Sequence, residues 1–159
     1  MNCLDPDSLH ALFGQVIRAH FQLSHAMLEK IGIYPGQPPL LFALVKKDGL
    51  SQKELACKLN IKPATMTIML KRMENAKLIK RIQDKEDQRI VSVYLTEKGR
   101  DVQKKVLEVI EEIHHECFHN FSNEEEEFLK KIFVKLRDNL MCASEQNKNI
   151  DSIGDKSNC

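Results

Sequence analysis

The stretch Leu50-Ser51-Gln52-Lys53-Glu54-Leu55-Ala56-Cys57-Lys58-Leu59-Asn60-Ile61-Lys62-Pro63-Ala64-Thr65-Met66-Thr67-Ile68-Met69-Leu70-Lys71-Arg72-Met73 decides the fold. Ser51 stands three residues before Glu54, the spacing of a capping box in which each side chain satisfies a backbone N–H of a helix's first turn. A helix is therefore expected from about Ser51 to Leu59. Asn60, Ile61, Lys62 and Pro63 break it, since proline is tolerated only at a helix start. The next helix carries Met66, Met69, Leu70 and Met73 on one face. Two short helices with a tight break between them read as a helix-turn-helix.

On either side of this stretch the pattern stays helical upstream and changes downstream. Leu9, Leu12, Phe13, Val16, Ile17, His20, Leu23, Met27 and Ile31 recur at spacings of three and four, predicting one long amphipathic helix from about Ser8, ended by Gly32 and Pro35. Pro38 and Pro39 suit the first turn of a short helix through Leu40, Leu41, Phe42, Leu44 and Val45. From Leu78 the period becomes two, with Val91, Val93 and Leu95 alternating with polar or partly polar residues. The polar run Gln83 to Arg89 then reads as a hairpin loop, which makes the whole a winged helix. Thr96 can cap a fifth helix through Val102, Val106, Val109, Ile113 and Cys117. Ser122 and Glu125 form a second capping box, ahead of a sixth helix with Phe128, Leu129, Ile132, Phe133, Leu136 and Leu140. From 143 to 159 the chain is polar and is expected to be a disordered tail.

The chain has 159 residues and a formal net charge of +1, which by itself speaks against a nucleic-acid partner. Its distribution reverses that reading. Lys46 through Arg100 holds 14 basic and 7 acidic residues, a balance of +7, and the remainder carries −6. The basic part coincides with the winged helix, as expected of a surface that meets phosphates. On the second helix of the motif, Thr65, Thr67, Ile68, Lys71 and Arg72 lie away from the methionine stripe. Small hydroxyl residues near a helix start can approach base edges, and Lys71 and Arg72 can reach phosphates or a guanine. In the hairpin, Arg89 is placed to enter a narrow minor groove, with Asp87 able to hold its rotamer.

These motifs together resemble the MarR family of bacterial transcriptional regulators. The run Asp87-Gln88-Arg89-Ile90-Val91-Ser92-Val93-Tyr94-Leu95-Thr96-Glu97-Lys98-Gly99 is similar to that family's D-x-R wing and following L-T-x-x-G segment, and Leu50 to Ala56 is similar to its L-S-x-x-E-L-A segment. The likeness runs in order from about Ser8 to Met141. It implies a mainly α fold: a winged helix-turn-helix of about six helices and a two- or three-stranded wing, with terminal helices forming a homodimer. The expected division is a helical dimerisation region over 8–31 and 101–142 and a DNA-binding lobe over 38–100.

The function implied is a non-enzymatic, cytoplasmic repressor that binds a pseudo-palindromic operator in double-stranded DNA. Its expected DNA contacts are Ser51, Lys62, Thr65, Thr67, Ile68, Lys71, Arg72, Lys85, Asp87 and Arg89. A small-molecule effector is expected to alter affinity, with His20 and Tyr34 as pocket residues; no cofactor is required. Two positions depart from the family pattern. Lys77 replaces the glycine that often ends the recognition helix, and Ile68 replaces a polar or basic residue, although an apolar side chain suits a thymine methyl. The dimer has an independent basis, because a winged helix of roughly 60 residues cannot bury two long apolar stripes by itself.

Particular residues also carry the spacing of other chemistries. His115-Glu116-Cys117-Phe118-His119 is a literal H-E-x-x-H, the spacing of zinc hydrolases. A third ligand and a substrate cleft have no signature in the sequence, so solvated histidines are the stronger reading. A regulatory metal or haem on His114, His115 and His119, with Cys117, is the softer alternative. Five cysteines without CxxC spacing fit reduced thiols, with Cys57 and Cys117 expected as core filling. No stretch approaches the roughly 18 apolar residues of a membrane span, and the N-terminus lacks the basic-then-apolar order of a signal peptide.

Overall fold

In the computed structural model, which describes residues 5–83 and 91–154 with side chains through 144, the elements follow the order α1 (Leu9–Lys30), α2 (Pro38–Lys46), β1 (Leu50–Ser51), α3 (Gln52–Lys58), α4 (Pro63–Asn75), β2 (Ile79–Gln83), β3 (Val91–Leu95), α5 (Glu97–Phe118) and α6 (Asn123–Gly154). The fold class read from the sequence, mainly α with a winged helix-turn-helix, is the one observed. The three strands form one antiparallel sheet in the order β1-β3-β2, with Leu50 opposite Val93 and Ile79 opposite Leu95. The wing is thus three-stranded, and its first strand is the residue pair that also opens α3.

Both expected capping boxes form. Ser51 Oγ accepts from the Glu54 N–H at 3.2 Å while the Ser51 N–H donates to Glu54 Oε2 at 2.8 Å. The Ser51 backbone N–H, and then its hydroxyl, hold the Glu54 carboxyl below the usual carboxylate range. Ser122 and Glu125 repeat the arrangement at the start of α6. Ser51→Ala removes the cap's hydroxyl acceptor, so a loss of about 1 kcal/mol in denaturant-unfolding stability is expected; an unchanged midpoint would show that the sheet alone sets this helix start.

Three helices end by one device. After α1, α3 and α4, a residue with positive φ (Gly32 at +71°, Asn60 at +50°, Lys77 at +60°) is followed by Ile33, Ile61 or Leu78. The N–H of each of these apolar residues returns to the helix, reaching Leu28 O, Ala56 O and Met73 O respectively. This is the left-handed C-terminal cap, and the apolar residue after it turns inward. Lys77 accordingly adopts the conformation that glycine favours, at the steric strain a Cβ brings there, and the helix still terminates on time.

The core lies under the winged helix. Leu40, Leu41, Leu44, Leu55, Met66, Leu70, Met73, Val93 and Val106 are fully buried, joining α2, α3, α4, β3 and α5. Only Leu28 of α1 is buried, with Leu23, Met27 and Ile31 packed partly against the same cluster. The N-terminal half of α1 leaves Leu9, Leu12, Val16, Ile17 and Phe21 exposed. The chain divides into two compact units, Met1–Cys117 and Phe118–Cys159. In the second, α6 leaves Phe128, Ile132, Phe133, Leu140 and Met141 exposed.

Helix α6 runs to Gly154, and residues 155–159 lie outside the described residues. One expectation changes. Cys57 is exposed rather than core filling, since Leu55 and Ala56 occupy the buried side of a seven-residue helix. Cys117 packs half-buried against the core.

Candidate nucleic-acid interface

The recognition face follows from the burial of its opposite side. Met66, Leu70 and Met73 anchor α4 in the core, and Thr65, Thr67, Ile68, Lys71 and Arg72 are all exposed on it. Pro63 opens the helix and Lys62 is its exposed N-cap residue, making no side-chain capping bond. An uncapped N-terminus leaves backbone N–H groups and the positive end of the helix dipole available to an anion. Ser51 is partly exposed, with its hydroxyl committed to the capping box. Lys85, Asp87 and Arg89 lie outside the described residues.

Several contacts fix this face, and the sequence did not reveal them. Gln52 Nε2 donates to Thr67 Oγ1 at 2.7 Å, and Thr67 Oγ1 donates to Pro63 O at 2.9 Å. The only proton of the Thr67 hydroxyl is thus spent within its own helix. What Thr67 presents outward is an acceptor and a methyl group, with the Gln52 carboxamide beside it. Glu74 on α4 pairs with Arg81 on β2, tying the recognition helix to the wing strand. The Arg81 hydrogen bond holds the Glu74 carboxyl below its usual range, and that same bond holds the Arg81 guanidinium above its own. No local periodicity signals Gln52, because its partner is fifteen residues away.

The far end of α4 is secured by the segment after the wing. Lys98 Nζ donates to Ala76 O at 2.9 Å, placing a cation at the helix C-terminus, where the dipole favours it. Thr96 Oγ1 donates to Lys77 O at 2.7 Å and accepts from the Gly99 N–H at 3.0 Å, so it caps α5 as expected and also meets the end of α4. Asp48 receives the Leu95 N–H at 2.9 Å and pairs with Arg100. The Leu-Thr-x-x-Gly segment is therefore a clamp that sets β3, α4 and α5 against each other.

The expected effector residues are not brought together. His20 and Tyr34 are both exposed, and His20 lies about 15 Å along α1 from that helix's end at Lys30, at 1.5 Å per residue. His20 therefore faces out rather than into the core. A cavity of about 280 Å³ between α1 and α5 is lined by Met27, Lys30, Ile31, Lys105, Glu108, Val109 and Glu112, and by neither of them. The histidines also depart from the zinc-hydrolase pattern. Helix α5 runs through His115 to Phe118, and His119 follows its last residue. His114, His115 and His119 are exposed, and no three His, Cys, Asp or Glu side chains converge as a metal site among the described residues. Among those residues, too, no helix is long and apolar enough to cross a membrane.

Comparison with known proteins agrees with this geometry. The sequence model of the MarR family matches residues 33–91. The HTH-type transcriptional regulator TtmR of Methylorubrum extorquens is 36% identical over 97 residues, 59% of this chain and 45% of that protein. The HTH-type transcriptional repressor MdtR of Bacillus subtilis is 36% identical over 92 residues, 58% of this chain and 57% of that one. This chain thus spans about half the length of these curated relatives. Among solved structures, the Staphylococcus aureus MepR–DNA complex superposes with a TM-score of 0.71 at 25% identity, covering 86% of this chain and 99% of that one.

Proposed function

The chain belongs to the MarR family, and from that premise we propose that it is a sequence-specific DNA-binding transcriptional regulator, a repressor that acts as a homodimer on a pseudo-palindromic operator. The observation that carries this reading is the exposed row Thr65, Thr67, Ile68, Lys71 and Arg72 on a helix whose other face is anchored in the core. Such a helix can enter a major groove as a rigid body, and in this reading Arg89 enters the minor groove. Ser51, Lys62, Lys85 and Asp87 complete the contact set, as phosphate ligands or supports. Support from relatives comes from a repressor among the curated matches and from MepR, whose structure was solved on DNA.

Residues 8–31 and 101–142 form the dimerisation region in this reading, and residues 38–100 the DNA-binding lobe. The apolar side chains left exposed on α1 and on α6 are, in this reading, covered by a second copy. Two-fold symmetry then requires two half-sites about one helical turn apart. A small-molecule effector changes the spacing of the two lobes so that both recognition helices no longer fit successive grooves. The protein carries out no reaction, requires no cofactor, and works in the cytoplasm, where its DNA is.

In vitro selection from a random duplex library on the purified full chain tests this. A sequence with approximate two-fold symmetry is expected to emerge, and Arg89→Ala should bind the recovered duplex about tenfold more weakly. Recovery of no duplex above background would overturn the reading. Wild-type affinity in Arg89→Ala would overturn the wing assignment alone.

A further inference from the structure

Resting on the reading of α4 as a recognition helix, we infer that Tyr34, in the loop between α1 and α2, is a positioning residue that aims the Arg72 guanidinium at the DNA backbone. The guanidinium carbon of Arg72 lies 5.7 Å from the centroid of the Tyr34 ring, within the range of a cation–π contact. Among the described residues no carboxylate forms a salt bridge with Arg72. This difference matters chemically. A carboxylate neutralises a guanidinium and occupies its N–H edge, whereas an aromatic face restrains the plane and leaves the in-plane donors and the full charge for an anion.

The backbone that carries the ring is held firmly. Ile33, immediately before Tyr34, is 1% exposed, and Gln37, which closes the turn, is 4% exposed. The Tyr34 N–H donates to Gln37 Oε1 at 3.0 Å, and the Gln37 N–H donates to Tyr34 O at 2.9 Å. A buried glutamine thus locks a four-residue turn from both ends. At Gly36 a Cβ would stand 3.1 Å from Met69 Cε, so the turn rests directly on the flank of the recognition helix. Tyr34 itself is 51% exposed, an arrangement that offers its ring as a platform while its backbone stays fixed. A long, exposed arginine otherwise loses much side-chain entropy on binding a phosphate, and a pre-oriented one loses less.

The test uses the full-length protein and the duplex recovered by selection on the wild type. Tyr34→Leu is expected to weaken binding about five- to tenfold, and Tyr34→Phe and Tyr34→Trp to stay within about twofold of wild type, because each keeps an aromatic face. In an Arg72→Ala background, Tyr34→Leu should have no further effect. A loss of the same size in that background, or no loss from Tyr34→Leu in the wild type, would overturn the proposal, since a role in folding alone does not depend on Arg72. Equal thermal midpoints for Tyr34→Leu and wild type are expected. If Tyr34→Leu does not fold, Arg72→Lys supplies the same decision: it keeps the charge and loses the planar guanidinium over the ring, so binding unchanged from wild type overturns the positioning role. If selection on the wild type recovers no duplex, this inference falls together with the functional reading; if it does and only the Tyr34 arms fail, the functional reading stands.

Discussion

Raising monovalent salt from about 50 mM to about 200 mM should weaken binding of the dimer to its operator by on the order of 1,000-fold or more. The expectation rests on the segregated charge. Residues 46–100 carry a balance of +7 and the rest of the chain −6, so a near-neutral protein presents a basic lobe to the duplex. Lys62, Lys71 and Arg72 are exposed on or beside α4, and with Lys85 and Arg89 each protomer offers five cations. If six to ten phosphates are met across the two half-sites, log K should fall against log salt with a slope of about −5 to −9. The proposed dimer is expected to behave differently, because the apolar α1 and α6 side chains it would cover carry no charge for salt to screen. Binding isotherms at several salt concentrations, with the oligomeric state followed in parallel, separate the two. A slope shallower than about −2 would mean that the basic lobe is not the phosphate-contacting surface.

Gly99→Ala should be among the most damaging single substitutions in the chain, lowering stability by on the order of 3 kcal/mol or more. A Cβ built on Gly99 stands 2.0 Å from Leu78 O, and that neighbour is backbone. The carbonyl cannot step aside by changing rotamer, and it also accepts from the Thr96 N–H at 3.1 Å. Relief requires moving the start of β2 away from α5. That in turn disturbs the Thr96 and Lys98 contacts that hold the end of α4, so operator affinity should fall with stability. Denaturant unfolding of Gly99→Ala measures the first effect. A midpoint within experimental scatter of wild type would show that the close approach relaxes cheaply and that glycine here is not a packing requirement.

Much of the lobe was legible from local pattern. Ser51 with Glu54, the Asn60 to Pro63 break and the methionine stripe are interactions within one turn or on one helix face, where spacing and chemistry suffice. The exposed row Thr65, Thr67, Ile68, Lys71 and Arg72 follows from the same stripe by exclusion. Less legible were contacts that join distant segments. Gln52 to Thr67, Tyr34 to Arg72 and Asp48 to Leu95 each depend on two elements meeting at an angle that no periodicity encodes. Cys57 misled for a related reason: a small apolar residue type suggests core filling, and only packing says whether a neighbour covers it.

The sequence by itself determined the element order, the helix caps, the basic segment and the identity of the outward row on α4, because each arises from residues within a few positions of one another. It also marked Lys77 as a departure that the fold absorbs, which the positive φ there bears out. Tertiary structure alone decided that the Thr67 proton is spent on Pro63 O, that Arg72 rests on an aromatic ring, and that Gly99 lies against the Leu78 carbonyl. Those are matters of distance between segments far apart in the chain. Their cause is the close-packed core under α4, which fixes the approach of α1's loop, the wing and α5 to the recognition helix, and with it which side-chain atoms remain available to a duplex.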